Sequence, residues 1–141
     1  MASPAERRVT TCFVNVLNNQ GSSVTDGEAV AWNVSSPDGV RTTQVAAGTL
    51  NLFVGLADGT IAASAYGLAQ AYGYKASASV INNKTTGIQT GDILNPTAAQ
   101  DYLGYAAVST TLAAGFVYAA EAYVTDSTPA AAAKKVFIRA L

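Results

Sequence analysis

The side chains that could do chemistry in this 141-residue chain are mainly carboxylates and tyrosines. Histidine is absent and Cys12 is the only cysteine, which removes the commonest general base and the usual ligands of a zinc site. A nucleophilic triad of the usual kind and an internal disulfide therefore cannot be built. Cys12 lies in an apolar alternating segment, which predicts a buried structural thiol.

The carboxylates are scattered, and most of them adjoin glycine or proline, which is typical of turn and cap residues. Glu121 is an exception because it interrupts an apolar segment; it could face solvent, pair with an arginine such as Arg139, or face a neighbouring subunit. A paired-carboxylate glycosidase is the enzymatic alternative, and it would need a groove lined with aromatic residues. We predict no enzymatic activity, no cofactor and no metal. The carboxylates considered are Asp26, Glu28, Asp38, Asp58, Asp92, Asp101, Glu121 and Asp126.

Tyrosine supplies the main candidates for binding. Tyr66, Tyr72 and Tyr74 lie in one short segment, and four more tyrosines follow them. A tyrosine ring brings contact area while its hydroxyl tolerates water, so tyrosine-rich surfaces with little charge suit protein interfaces. Ordinary packing would explain part of these rings equally well. Trp32, the only tryptophan, is expected in the core or at a subunit contact where its N–H finds a partner.

The composition is that of a single globular domain. Half of the residues are hydrophobic and only 12% are charged, yet no apolar run is long enough to span a bilayer. The net charge of −1 argues against a nucleic-acid partner, which would normally require a basic stripe. The N-terminal residues lack the apolar region of a secretory signal, so synthesis in a cytoplasm and no membrane partner are expected.

Turn signals recur every 8 to 12 residues or so, with strand-like segments between them, which favours an all-β fold. Alternating leucine and valine over residues 50–57 predict a strand with one face buried, and a second curved strand is expected from Tyr66. Pro96 is expected to end a strand. The alanine-rich residues 130–135 could form one helical turn before a terminal strand over 136–141.

The predicted architecture is one small β-barrel or β-sandwich domain over residues 9–141, preceded by a flexible N-terminal arm over residues 1–8. A short similarity links residues 25–30 with residues 90–94, where an acidic residue near glycine precedes a β-forming hydrophobe. We interpret it as recurrent turn chemistry, not as a duplicated domain.

Several short motifs of glycines and small apolar residues follow one another over roughly residues 25–96. They are Gly27-Glu28-Ala29-Val30, Phe53-Val54-Gly55-Leu56-Ala57, Ile61, Tyr66-Gly67-Leu68-Ala69-Gln70, Gly73 and Gly91-Asp92-Ile93-Leu94. In this order they resemble head decoration (cement) proteins of tailed bacteriophages. The resemblance implies a compact β-barrel with flexible arms, assembled as trimers or other clusters on the capsid exterior.

The resemblance implies a non-enzymatic virion protein that stabilises the outer surface of an icosahedral capsid by bridging major capsid proteins. The expected form is a homotrimer, made in the cytoplasm of the host bacterium. A phage fibre or tail module that binds a host glycan or protein is the alternative. The residues expected to contact the capsid or other subunits are Arg7, Arg8, Trp32, Tyr66, Tyr72 and Tyr74.

Overall fold

The computed structural model describes residues 10–36, 38–45, 52–97, 100–106, 117–124 and 130–140, so the predicted arm lies outside the described residues. The described part is all-β, as predicted, and contains nine strands in one sheet. The strands are β1 (Cys12–Asn18), β2 (Ala29–Trp32), β3 (Arg41–Thr43), β4 (Phe53–Asp58), β5 (Tyr66–Ile81), β6 (Ile93–Pro96), β7 (Leu103–Tyr105), β8 (Val117–Ala119) and β9 (Ala132–Arg139).

Hydrogen bonds between the strands close this sheet on itself twice. In the first ring the order is β1-β3-β2-β4-β5, and β5 pairs back with β1. In the second ring the order is β5-β7-β6-β8-β9, and β9 pairs back with β5. The 16-residue strand β5 belongs to both rings. Every described strand therefore pairs with a neighbour on each side over at least part of its length. Some of these pairings are short, since β1 pairs with β3 only at Leu17 and Asn18.

The two rings repeat one pattern of strand pairing. In each, the first strand is parallel to the third and all other pairs are antiparallel. The buried side-chain amides of Asn18 and Asn82 occupy corresponding places: each donates to carbonyls of the segment that follows the fourth strand. The carboxylates of Glu28 and Asp92 also correspond, since each accepts the N–H three residues earlier. The short sequence similarity therefore falls at corresponding turns of the two rings, where Gly27 and Gly91 each precede one of these carboxylates.

Two clusters of buried side chains hold the rings together. The first fills the first ring, and its buried members are four valines, two alanines and one isoleucine. The second fills the second ring and also takes in Ala29, Phe53 and Leu56 from the first ring. The rings therefore share a core as well as a strand.

Strand β4 departs from the expected burial of one face. Val54 and Ala57 pack in the first cluster, whereas Phe53 and Leu56 pack in the second. The cause is a register shift between β2 and β4 that leaves one extra residue in β4 near Gly55, where an added Cβ would lie 2.3 Å from the carbonyl oxygen of Gln70. Such a bulge interrupts the period of two. Both faces of β4 are buried, because each of them packs against one of the two clusters.

Two other local expectations are wrong. Residues 132–135 belong to the long strand β9 and not to a helical turn, because pairing with β5 outweighs the helix preference of alanine. Cys12 is half-buried, since it lies at the start of β1, where the chain enters the first ring. The expectation that Pro96 ends a strand is confirmed, because Pro96 is the last residue of β6.

Glycines at corresponding turns of the two rings give a matched test of close packing. Gly27 (φ 83°) and Gly91 (φ 90°) both have left-handed backbones, and each donates its N–H to a carbonyl at the end of the fourth strand of its ring. An added Cβ at Gly27 would lie 1.8 Å from the carbonyl oxygen of Ser77, whereas at Gly91 it would meet nothing within 4 Å. Glycine is therefore required at position 27 both by packing and by the positive φ, and at position 91 by the positive φ alone.

Gly91→Ala should lower the free energy of unfolding by about 1 kcal/mol, the cost of a left-handed alanine. Gly27→Ala should lower it by roughly 3 kcal/mol, because the backbone of β5 at Ser77 must also move. Urea unfolding followed by circular dichroism measures both values. Equal losses would show that the contact at Gly27 contributes nothing.

Candidate functional site

An aromatic row crosses the outer surface of the second ring. In antiparallel strands, directly opposite residues point to the same face of the sheet. Tyr74 on β5 lies opposite Phe137 on β9, Phe137 lies opposite Tyr118 on β8, and Tyr118 lies opposite Ile93 on β6. The neighbouring residues of β8 and β9 point inward to the core. The row therefore spans four strands on the side of the sheet that the core does not cover.

A second tyrosine joins this row. The rings of Tyr72 and Phe137 meet edge to face, with centroids 5.4 Å apart and planes at 79°. Tyr74 is 43% exposed, while Tyr72, Tyr118 and Phe137 are half-buried. Among the described residues, no hydrogen bond joins the hydroxyls of these tyrosines to another protein group. Neighbouring side chains already hold these rings in place, so binding a partner would cost little side-chain entropy. The hydroxyls can then form hydrogen bonds with the partner.

Two cations flank the row along β9. Lys135, Phe137 and Arg139 alternate with the buried Val136 and Ile138, so all three lie on the outer face. Arg139 is exposed and forms no ion pair with any carboxylate of the described residues. We call these side chains together the basic aromatic face: Tyr72, Tyr74, Tyr118, Lys135, Phe137 and Arg139.

Glu121 partly neutralises the positive charge at one end of this face. Its carboxylate accepts the backbone N–H of Lys135 at 2.9 Å and lies 3.9 Å from the Lys135 ammonium. The sequence left open a pairing of Glu121 with an arginine such as Arg139, and the structure shows Lys135 in that role. The Lys135 side chain stays 54% exposed, so its ammonium remains available to a partner.

The first ring carries a separate group of exposed apolar side chains. Tyr66 and Leu68 on β5 are 64% and 45% exposed, and Phe13 on the paired strand β1 is 46% exposed. The tyrosines that cluster in sequence are therefore divided: Tyr72 and Tyr74 lie on the basic aromatic face, and Tyr66 lies on the first ring.

A pocket of about 220 Å³ opens beside the β2–β3 connection. It is lined by Trp32, Asn33, Val34, Gly39 and Arg41. Trp32 is half-buried and packs against the first core cluster, so only part of its ring belongs to the core. Asp38 orders the connection by accepting the N–H groups of Arg41 and Val40, and these hydrogen bonds lower the pKa of its carboxyl.

A buried lysine links the two rings. The Lys75 side chain is 5% exposed, and its ammonium lies 2.9 Å from Asp26 and 3.3 Å from Asp58. Asp26 also accepts the Gly59 N–H at 2.9 Å and the Ser77 hydroxyl at 2.5 Å. Burial raises the pKa of Asp26, but the hydrogen bonds from Gly59, Ser77 and Lys75 outweigh it and lower the pKa to about 2. This network neutralises a buried ammonium and is structural.

The lowered pKa of Asp26 makes part of the stability depend on pH. A carboxyl with a folded pKa of about 2, below its ordinary 3.8, stabilises the fold above pH 4 and loses that contribution as the pH falls towards 2. We expect the contribution to be on the order of 1 kcal/mol, because Asp26 is partly exposed and screened by solvent. Asp26→Asn should be less stable than wild type at pH 6, and the difference should shrink towards pH 2. Parallel unfolding curves from pH 6 to pH 2 would contradict the role of Asp26.

Sequence reasoning found only part of the basic aromatic face. Tyr72 and Tyr74 were predicted as contacts, whereas Trp32 and Tyr66 lie elsewhere on the described surface. Arg7 and Arg8 lie outside the described residues. Lys135 lies in the segment that was expected to form a helical turn. Phe137 and Arg139 lie in the predicted terminal strand, but only the register between β5 and β9 places them beside the tyrosines. Alternation of Lys135, Phe137 and Arg139 was the available signal, and strand periodicity would have placed them on one face.

The described residues contain no cluster of three or more acidic, histidine or cysteine side chains that could hold a metal ion. They also contain no helix that is long and apolar enough to cross a membrane. No protein-family model matches the chain, and no curated protein matches it. What the protein does is therefore inferred from its residues and their geometry.

Proposed function

We propose that the protein is a non-enzymatic virion component that decorates the outer surface of an icosahedral phage capsid and bridges neighbouring major capsid proteins. The observation that supports this proposal most is the exposure of large apolar side chains on sheet faces that the two core clusters do not cover. Tyr66, Leu68, Phe13 and Tyr74 are all more than 40% exposed. Clusters of this kind in a small protein mark interaction surfaces.

Strand pairing restricts how a partner can bind. Because both rings are closed, the described strands offer only short stretches of edge to which a partner strand could add. Exposed side chains on the faces and in the loops are therefore the main contacts available to a partner. A small protein with apolar contacts on both rings can touch more than one neighbour at a time, which is what bridging between capsomers requires.

The proposed mechanism is stabilisation by mass action. A protein that binds the assembled shell, and not its separate subunits, stabilises the shell in proportion to its affinity and occupancy. Added buried area across capsid subunits would raise the resistance of the shell to internal genome pressure. Assembly as a homotrimer would multiply the number of contacts at each site.

Cryo-electron microscopy of particles purified from producing cells tests the proposal. Density for the chain repeated over the outer capsid lattice, at hundreds of copies per particle (about one per local symmetry site), is expected. Density confined to the tail or to one vertex would overturn the proposal in favour of the adhesive alternative. Complete absence from particles would overturn both.

The N-terminal arm gives a separate prediction. Deletion of residues 2–8, which removes Arg7 and Arg8, should reduce capsid occupancy if the arm orders on the shell. Occupancy is measured by co-sedimentation of the chain with particles that lack it. The urea midpoint of the deleted chain serves as the folding control. Unchanged occupancy would exclude a contribution of the arm.

The adhesive alternative has its own observation in the pocket beside Trp32. A half-buried tryptophan with Arg41 and Asn33 at its rim could hold a sugar ring or a side chain of a host protein. A glycan array separates the two proposals. Retention of the wild-type chain that is lost in Trp32→Ala would favour the adhesive module.

A further inference from the structure

We propose that the basic aromatic face is the surface that docks on the capsid, and that it recognises an acidic, partly apolar patch of the capsid protein. This inference rests on the proposed function and specifies which face binds and what chemistry it meets. Its partner is a folded protein surface, because the aromatic row lies across four paired strands and offers a broad face instead of a groove.

The charges on this face are the first argument. Lys135 and Arg139 lie on either side of Phe137, and both side chains are exposed. Arg139 has no carboxylate partner among the described residues. An unpaired guanidinium beside aromatic rings is well suited to a carboxylate of a partner, because it forms bidentate hydrogen bonds and stacks on neighbouring rings. The face is therefore complementary to carboxylates set among apolar side chains.

The exposed apolar side chains of the first ring have carboxylates beside them instead of cations. Asp58 lies directly opposite the exposed Leu68. The exposed carboxylates of Asp58 and Asp26 surround the buried ammonium of Lys75, so this network carries a net charge of −1. An acidic capsid patch is therefore attracted to the basic aromatic face more than to the surface around Leu68.

The energetic centre of the contact would be Phe137 with its tyrosine neighbours. Phe137 contacts Tyr72 edge to face and lies between Tyr74 and Tyr118 on the adjacent strands. Aromatic and arginine side chains at the middle of an interface carry most of its binding energy. The cations at the rim would mainly set the association rate and its salt dependence.

Co-sedimentation of the full-length chain with particles that lack it tests the inference. Tyr74→Ser and Arg139→Glu should each weaken binding at least about 10-fold at 0.1 M salt, and the double variant more than either. Wild-type affinity should fall as salt is raised from 0.05 to 0.5 M, and that dependence should be smaller for Arg139→Glu.

Val124→Glu is the control for the introduced charge, because Val124 is 80% exposed and lies outside the basic aromatic face; it should bind as wild type does. Tyr66→Ser removes an exposed tyrosine of the first ring on the same strand as Tyr74, and it measures the contribution of that ring instead of serving as a control. Urea midpoints within experimental error of wild type confirm that each variant is folded.

The outcomes separate the inference from the proposed function. If wild type binds the shell but Tyr74→Ser and Arg139→Glu bind equally well, the inference is overturned and the decoration role stands. If Tyr66→Ser alone loses binding, the docking face is the first ring. If wild type binds no particle but retains oligo-dT or an acidic glycan in an Arg139-dependent manner, both the inference and the decoration role are overturned.

Discussion

The double closure of the sheet around β5 is the constraint on which the rest of the structure depends. This 16-residue strand pairs with β4 and β1 in its first half and with β9 and β7 in its second. A strand shared in this way cannot lose half of its partners without opening both rings. The Lys75 network lies on β5 near Asp26 and Asp58 of the first ring, so the ion pairs add to the same junction. Contacts of high sequence separation therefore hold the two rings together, and folding should be cooperative across them.

Closure also explains the composition of the first core. A ring of five strands has a narrow interior, and the first core cluster is accordingly built from valine, alanine and one isoleucine. The backbones approach closely at Gly27 and Gly55, where a side chain would collide with carbonyl oxygens of β5. The chain also has only eight lysines and arginines, which makes the positions of Lys135 and Arg139 on one face informative.

The sequence was sufficient to predict an all-β fold, since turn signals and β-branched segments recur along the whole chain. It was not sufficient to predict the rings, because closure depends on pairing between residues as distant as Leu17 and Arg41 or Val80 and Leu103. The alternation of apolar residues gave a wrong burial pattern at Val54, because a bulge shifts the register of β4. The helix propensity of alanine gave a wrong element at residues 132–135, because pairing with β5 outweighs it. Tyr72 and Tyr74 were predicted as contacts from residue type. Phe137 and Arg139 were missed, since only the β5–β9 register places them beside those tyrosines.

The repeated pattern of pairing bears on how one small chain could bridge two neighbours. Corresponding positions of the two rings hold similar structural groups, such as Asn18 and Asn82 or Glu28 and Asp92. Their outer surfaces differ: the first ring carries Tyr66 and Leu68 near exposed carboxylates, and the second carries the aromatic row between two cations. Two rings that share a backbone plan but differ in surface charge can contact chemically different patches at a fixed separation. A capsid lattice would offer such patches at the junction of neighbouring subunits. A rigid shared strand would then keep the two contacts at a constant distance from each other.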